Sequence, residues 1–478
     1  MEKRITLSKK EERLRQFILN SNVFLVTLKI GLPIAFFQSL NQIFRIFDSF
    51  MAAGINSSAA SMVAYFGQIN LILGGIGLGL ATGSSLKISH AYGQGDYGLV
   101  KKRISSLLTL TALICISLGL LIVPLATPFL RLIGTPVEFI SSGRTFFLLE
   151  FYSTLVMFFN SVYIAIERSQ GNSKRILYIN LLAMAVKFSL TAFGVYVLEA
   201  GVAFLAFSTL ISQLMILGIG CFNLRGKSEV FRFSFKDISL KKEIILPMLI
   251  ISLPIMFERS AFHAGKAIVN GMVIFYGPLV VGALGISNLI TGASTSPQNG
   301  MQDATVSIMA QNRGAGNVAR SFRAFRSVLV LNLTLAALMF IPSWIFAPQV
   351  TGIFAIGDPD FHLKLITIFR YDVWSIWPLA IFSSVMALLF GFGFTKTTFI
   401  LNACRLFLFR IPILWYMQHF TDRGYEVAGQ IMIISNILVA ALAVLVAFRV
   451  IFVISKESGV PFWESYDVQL KNKMEKAH

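Results

Sequence analysis

Charged residues are scarce in this chain. Only 13% of its 478 residues are Asp, Glu, Lys or Arg, whereas a soluble globular protein carries about a quarter. Hydrophobic residues make up 55% of the sequence, which is more than a soluble surface and core normally hold. The composition therefore excludes a soluble globular protein and predicts a polytopic membrane protein.

Cysteines are few, and acidic residues are outnumbered. Cys115, Cys221 and Cys404 lie in apolar runs without CxxC or Cys–His spacing, so neither a disulfide framework nor a structural metal is expected. The 41 Lys and Arg exceed the 23 Asp and Glu, which gives a net charge of +18. In a membrane protein such an excess orients the spans, and no nucleic-acid partner is predicted.

Twelve apolar runs are long enough to cross about 30 Å of hydrocarbon as helices. They cover residues 24–53, 59–92, 104–130, 140–167, 176–197, 202–223, 244–276, 281–311, 327–348, 367–393, 399–416 and 427–448. Nearly all Lys and Arg outside them lie on one side, and the opposite loops carry only Arg131, Lys364 and Arg423. Because basic residues near span ends resist translocation, we expect both termini in the cytosol.

The two halves of the chain resemble each other. Residues 32–36 (LPIAF) match residues 253–257 (LPIMF), and residues 93–96 (GQGD) match residues 314–317 (GAGN), in both cases 221 positions later. Each half has six spans, so both halves enter the membrane from the same side, related by a pseudo-twofold axis along the membrane normal. The predicted fold is an all-α polytopic membrane protein with twelve transmembrane helices in two six-helix lobes.

This repeat also predicts a domain organisation. The expected segments are a cytosolic N-terminal tail (1–23), an N-terminal lobe (24–223), a cytosolic linker (224–243), a C-terminal lobe (244–448) and a cytosolic C-terminal tail (449–478). Parallel repeats are typical of transporters that alternate access to a central cleft.

Several motifs together resemble the multidrug and toxic compound extrusion (MATE) family. They are Pro33 near the start of the first span, Asp48 in FDS, residues 91–96 (AYGQGD) and residues 311–317 (QNRGAGN). The resemblance extends over residues 24–450. It implies a secondary antiporter that exports drugs, toxins or natural products in exchange for H⁺ or Na⁺, without a cofactor. It also implies that Asp48 takes part in cation coupling.

Polar residues inside spans are candidate functional residues, because a charge at the bilayer centre costs several kcal/mol. The first span has one polar face, on which Arg45 and Asp48 either serve the cleft or form a structural ion pair. The seventh span carries Glu258, where the resemblance places an acid of sodium-coupled members; its alternative is neutralisation by Lys266 or a neighbouring span. His263 titrates near neutral pH or is a hydrogen-bonded interior residue.

The eighth span has a long polar face that ends beside Asp303. Such a face suits a hydrated path or a substrate wall, and helix packing is the alternative. We therefore predict cation coupling at Asp48, Glu258 and Asp303, with a monovalent cation expected at Glu258 or Asp303 and no structural metal. The substrate-cleft candidates are Gln38, Asn41, Arg45, His263, Lys266, Asn270, Asn288, Thr295, Gln298 and Gln302.

The chain departs from the family pattern in both halves. Archaeal members have an Asn and an Asp on the fifth span where this chain has Met184 and Phe188, and sodium-coupled members have a second acid on the tenth span where it has Leu379. Asp372 lies two turns before Leu379, and its neighbour Arg370 favours a local ion pair. The coupling ion, H⁺ or Na⁺, therefore stays open.

Two rival functions remain. A flippase for a lipid-linked precursor would want a cationic cavity, which Arg45, Lys187, Arg259 and Lys266 keep possible. An intramembrane enzyme is disfavoured, since no helix carries paired acids or a His–Asp or Ser–Lys pair at catalytic spacing. The expected partners are a small organic substrate and membrane lipid, and the protein is expected to be monomeric and not an enzyme.

Overall fold

The computed structural model describes residues 7–55, 57–133, 135, 137–226, 229–355 and 357–464. Inside the first two spans and at positions 138 and 142 it leaves some side chains, among them that of Asp48, outside the described residues. In the described part of the chain every regular element is a helix and no strand occurs. The predicted all-α fold is confirmed.

Seventeen α-helices occur in the described residues. They are α1 (Lys9–Asn20), α2 (Val23–Ile55), α3 (Ser57–Gln94), α4 (Tyr97–Ile122), α5 (Ala126–Leu132), α6 (Val137–Ser169), α7 (Ser173–Tyr196), α8 (Ala203–Arg225), α9 (Lys242–Val273), α10 (Pro278–Gly314), α11 (Val318–Ile345), α12 (Ala347–Gly352), α13 (Pro359–Asp372), α14 (Ile376–Phe392), α15 (Thr395–Ala403), α16 (Ile411–Phe420) and α17 (Val427–Ser458). Among them, alone or in continuous pairs, are 12 helical segments long and apolar enough to cross a membrane. The predicted number of spans is confirmed.

Two of the spans are interrupted by prolines. Pro378 and Pro412 cannot donate a hydrogen bond to the carbonyl four residues earlier, so the preceding turn leaves the α-helical pattern. The turn before Pro378 is a 3₁₀ segment, Val373–Ser375, between α13 and α14. The turn before Pro412 is a π-helix, Cys404–Arg410, between α15 and α16. Both irregular segments lie in the region that carries the site described below.

The chain forms two compact units whose boundaries fall inside four of its helices, α1, α2, α3 and α9. The first unit comprises Leu40–Ile88 and Asp96–Ala264 with the described residues up to Glu12, and the second comprises Arg13–Ser39, Ser89–Gly95 and the chain from Gly265 onward. The beginning of α2 thus belongs to the second unit, and most of α9 belongs to the first. The compact units and the two sequence halves are different divisions of the chain, and the lobe boundaries given above stay a prediction.

Each unit has its own apolar core. In the first unit Phe66, Phe147 and Phe151 are fully buried, and the Phe147 ring centroid lies 5.6 Å from that of Phe66 and 6.2 Å from that of Phe151. In the second unit the buried core centres on Phe369 and Ile376. Close-packed aromatic and aliphatic side chains of this kind hold the spans together through dispersion.

The internal repeat is visible as a repeated contact within the second unit. A Cβ on Gly93 would lie 2.1 Å from the carbonyl oxygen of Gln311, and a Cβ on Gly314 would lie 2.1 Å from that of His90. Both pairs are related by the same shift of 221 positions that relates the two sequence motifs. Only glycine permits two helix ends to approach so closely.

The expected linker is held against α4 in the first unit. Lys101 forms an ion pair with Asp237 at 2.9 Å, and Ser106 exchanges two hydrogen bonds with the backbone of Ser239 at 2.9 and 3.0 Å. Burial, the largest influence, raises the pKa of Asp237, but hydrogen bonds from Lys101 and Ser234 and the nearby lysine charges lower it overall. The linker is therefore fastened by both charge and hydrogen bonds.

Candidate ion-coupling site

Asp372 is a carboxylate buried inside the second unit, at the end of α13. It is 1% exposed, and its Oδ2 accepts hydrogen bonds of 2.9 Å from the hydroxyls of Ser287 and Thr291 on α10. Arg370 is exposed, and these two described side chains form no ion pair. The expected local pair is wrong because residues two apart on a helix point about 200° away from each other.

Three basic side chains act on this carboxylate. The charges of Arg410 and Lys266 stabilise the ionised form of Asp372, and Arg405 interacts electrostatically with it. One acid thus shares its surroundings with three bases. The net charge of these four groups is positive when Asp372 is ionised, and it becomes more positive by one unit when Asp372 takes up a proton.

The π-helix explains how the two arginines reach the same place. Hydrogen bonds in a π-helix run between residues five apart, so Arg405 and Arg410 lie almost one above the other on this segment. Arg410 donates to Ser435 Oγ at 3.0 Å, and both arginines donate to Asn436 Oδ1, at 3.2 Å from Arg410 and 2.9 Å from Arg405. Ser435 and Asn436 of α17 therefore orient the cationic side of the centre.

Most of the polar face of the eighth span is engaged in helix contacts within the second unit. Gln298 donates to the carbonyl of Ile376 at 3.3 Å, and the Ser383 hydroxyl lies 3.1 Å from both the Gln298 carbonyl and Gln302 Oε1. Thr295 donates to the carbonyl of Thr291 on its own helix. These contacts favour the packing alternative for this face. Asn288 and Asp303 are half-buried on the same helix.

The candidate residues of the seventh span fall in both units. Glu258 is 7% exposed in the first unit. His263 is half-buried there, with its ring centroid 6.0 Å from that of Phe262. Lys266 and Asn270 are half-buried in the second unit, where Lys266 acts on Asp372. The structure thus joins one of these candidates to the buried carboxylate.

The candidates of the first span have mixed surroundings. Gln38 and Asn41 are half-buried, and Arg45 is exposed. The side chain of Asp48 lies outside the described residues, so its predicted role stays a prediction. Next to it Phe47 packs edge-on against Phe188 of α7, with ring centroids 5.8 Å apart.

The first unit also holds an acid in hydrogen-bonded surroundings. Glu150 of α6 is half-buried, and its Oε2 accepts a 2.9 Å hydrogen bond from the side-chain amide of Asn70 on α3. In the described part of the chain, no group of three or more His, Cys, Asp or Glu side chains is placed to hold a metal ion.

Sequence reasoning missed the centre around Asp372 because its members are far apart along the chain. The residues come from α10, α13, the π-helix and α17, and only the fold brings them together. One signal was available, namely an aspartate inside an otherwise apolar span. The adjacent Arg370 obscured that signal by offering a local partner.

The comparisons with known proteins agree with this architecture. The probable multidrug resistance protein YoeA of Bacillus subtilis (strain 168) is 21% identical over 410 residues, which cover 84% of this chain and 87% of that protein. An FAD transporter of Shewanella oneidensis is 21% identical over 405 residues, which cover 84% and 89%. A crystal structure of MATE in complex with MaL6 has the same fold, with a TM-score of 0.88 at 19% identity, covering 94% of this chain and 100% of that chain.

The family model confirms the resemblance found in the sequence. The model described as MatE matches residues 33–193 and 254–416, one segment in each sequence repeat. These segments together make up more than half of the chain, and members of the family are transporters rather than enzymes. This chain belongs to the MatE family of ion-coupled membrane transporters.

Proposed function

We propose that this protein is a secondary active exporter of organic compounds that works by H⁺ antiport and alternating access. It would lie in the bacterial inner membrane with both termini in the cytosol, as the basic loops predict. The observation that carries the proposal is the buried Asp372, held by two hydroxyls and faced by basic side chains. We assign to this carboxylate the uptake and release of the coupling proton.

The surroundings of Asp372 favour a proton over Na⁺. A sodium ion needs several oxygen ligands and would be repelled by the nearby charges of Arg410 and Lys266. A proton needs only one titratable acid. Asp48, Glu258 and Asp303 remain further candidates for coupling, with Na⁺ at Glu258 or Asp303 as the alternative.

Protonation of Asp372 would change the forces that hold α10, α13 and the π-helix together. The neutral acid loses its attraction to Arg410 and Lys266, so protonation favours a different packing of these segments. By linkage, a substrate that prefers the other packing releases the proton. One proton moved across 100 mV supplies about 2.3 kcal/mol, enough for a roughly fiftyfold substrate gradient.

The test is substrate-stimulated proton flux into proteoliposomes that contain the purified protein and a pH-sensitive dye. The substrates are ethidium, an organic cation, and FAD, which the name of the Shewanella relative suggests. We expect Asp372→Asn to reduce the coupled flux at least tenfold. The control is Asp360→Asn, which removes an exposed acid from the same helix and should stay within twofold of the parent.

Three outcomes would change the proposal. Unchanged flux in Asp372→Asn would remove this acid from the coupling step. Substrate transport that follows a Na⁺ gradient at constant pH would replace the proton with sodium and favour Glu258 or Asp303. Movement of a lipid-linked precursor between leaflets, without flux of either cation, would support the flippase instead.

A further inference from the structure

A cavity lined by arginines lies beside the N-terminal end of α11, and none of its lining residues belongs to the centre around Asp372. Its volume is about 440 Å³, and its lining includes Ser21, Val23, Phe24, Arg320, Arg323 and Arg326. All of the lining residues are described, and no Asp or Glu is among them. The cavity therefore presents positive charge without an acidic side chain in its lining.

Arg320 fixes one wall of this cavity. It is 2% exposed, and its guanidinium donates to Asn312 Oδ1 at 3.0 Å and to the carbonyls of Ile18 and Ser21 at 2.9 and 2.7 Å. These bonds connect the start of α11 with the end of α1 and the turn that leads into α2. The wall is thus built by buried hydrogen bonds and does not depend on flexible surface side chains.

Arg326 is oriented by aromatic side chains of the C-terminal segment. Its guanidinium lies 5.5 Å from the ring centroid of Phe462 and 5.3 Å from that of Trp463, and Phe462 packs edge-on against Phe322. Cation–π contacts of this kind hold a guanidinium in place without neutralising it. Arg323 lies three residues away on the same helix, and its charge acts unfavourably on Arg326. A bound anion would relieve this repulsion.

The position of the cavity indicates where such an anion comes from. Val23 and Phe24 open the apolar first span, and Val318 opens the ninth, so the cavity lies where polar loops meet the apolar spans. Phe24 is 43% exposed and Leu25 is 41% exposed, which gives an apolar surface beside the charged one. A ligand with a phosphate and an adjoining hydrocarbon portion matches both.

We propose that this cavity binds the phosphate headgroup of an anionic phospholipid from the leaflet that faces the basic loops. Arg323 and Arg326 contact the phosphate oxygens, because a guanidinium fork matches a phosphate in geometry and charge. Basic pockets beside transmembrane helices are a recurrent site for anionic lipid headgroups. The apolar start of α2 accommodates the first part of the acyl chains.

The test measures the thermal stability of the purified full-length protein in detergent, titrated with phosphatidylglycerol or with zwitterionic phosphatidylcholine. We expect phosphatidylglycerol to raise the melting temperature of the parent and phosphatidylcholine to leave it unchanged. The double variant Arg323→Gln/Arg326→Gln should bind phosphatidylglycerol about thirtyfold more weakly. The matched control, Arg449→Gln/Lys456→Gln, removes two exposed basic residues from α17 and should keep the parental response.

Three other results of these titrations would contradict the proposal. If the control variant lost as much of the rise in melting temperature as the Arg323→Gln/Arg326→Gln variant, the lipid would be attracted by the overall positive charge and not by this cavity. A response to inorganic phosphate as large as that to phosphatidylglycerol would assign the cavity to a free anion instead of a lipid. If Arg323→Gln/Arg326→Gln melts early without lipid, Arg326→Lys replaces it, and a parental response in that variant would reject a guanidinium–phosphate contact.

Discussion

Gly79 of α3 lies directly against the backbone of Met256 in α9, so that a Cβ on Gly79 would come 2.5 Å from both the Cα and the N of Met256. The same contact recurs in the second unit, where a Cβ on Gly300 of α10 would come 2.4 Å from the Cα of Ala35 in α2. The two pairs are related by a shift of 221 positions. Each unit thus contains a helix crossing at which a glycine allows the two backbones to approach each other.

These close contacts predict that a change from glycine to alanine lowers the stability of the protein, although such a change usually stabilises a helix. Alanine in a helix is normally more stable than glycine by about 1 kcal/mol, but at Gly79 or Gly300 the new methyl group meets backbone atoms that cannot turn aside. We expect Gly79→Ala and Gly300→Ala each to destabilise the protein by about 1–3 kcal/mol. The measurement is thermal unfolding in detergent, followed by tryptophan fluorescence.

Gly218 on α8 provides the control for these variants. It is exposed, and a Cβ there would meet no heavy atom within 4 Å. Gly218→Ala should therefore melt at the parental temperature or above it. Equal melting temperatures for Gly79→Ala and Gly218→Ala would show that the α3–α9 crossing can widen without cost.

The centre around Asp372 predicts non-additive effects of charge removal. Asp372→Asn removes the acid that offsets Arg410, and Arg410→Met removes a fully buried cation that holds Ser435 and Asn436. Each single change should cost about 3–5 kcal/mol, because it leaves buried charge uncompensated. The double variant should cost less than the sum of the two by about 0.5–3 kcal/mol.

A thermal-unfolding double-mutant cycle measures this coupling. Arg370→Gln is the matched control, since Arg370 is exposed on the opposite side of α13, and its effect should stay within about 0.5 kcal/mol. Strictly additive losses for Asp372→Asn and Arg410→Met would mean that the two charges do not stabilise each other.

Measuring both stability and transport in the same variant distinguishes a packing role of the polar face of the eighth span from a role in substrate contact. Gln298→Ala removes the hydrogen bond to Ile376 and leaves a small cavity, so we expect a loss of about 1–3 kcal/mol with an unchanged KM for export. Asn299→Ala, at the exposed neighbouring position, should change neither. A raised KM at the parental melting temperature would instead return Gln298 to the substrate path.

The attachment of the linker to α4 should depend on pH. Because the pKa of Asp237 is lowered in the folded protein, its stabilising contribution is complete above the ordinary Asp pKa of about 3.9 and is lost as the pH falls through the lower folded-state pKa. A tryptophan at the exposed Phe235 position reports this loss by fluorescence. The transition should have its midpoint below about pH 3.9 and should vanish with Asp237→Asn; a midpoint above that value would contradict the ion pair with Lys101.

Much of the architecture was predictable from local sequence. Twelve apolar runs gave the twelve spans, because hydrocarbon accepts only segments whose backbone polar groups are satisfied within a helix. The repeated motifs at residues 93–96 and 314–317 placed corresponding glycines in both halves, and the structure brings each against the other repeat's helix end. These features depend on residues that are close together in the chain or related by one constant shift.

The candidate site was predictable only in part. Lys266 acts on the buried Asp372, which the sequence had paired with Arg370. Gln298 and Gln302 were found as a polar face, but which helix they contact depends on Ser383 and Ile376, more than 70 residues away. Side-chain partners across helices follow from tertiary packing, about which periodicity carries no information.

The sequence by itself determined that this chain is a membrane-embedded, all-helical repeat protein, because composition and span length are local properties imposed by the bilayer, and its ordered motifs resemble those of the MatE family. The tertiary structure alone decided that Ser287, Thr291 and Arg410 surround Asp372, and that Arg320, Arg323 and Arg326 line a cavity beside the first span. Such groupings arise where distant helices cross, since a buried charge takes the partners that the packed fold places within reach.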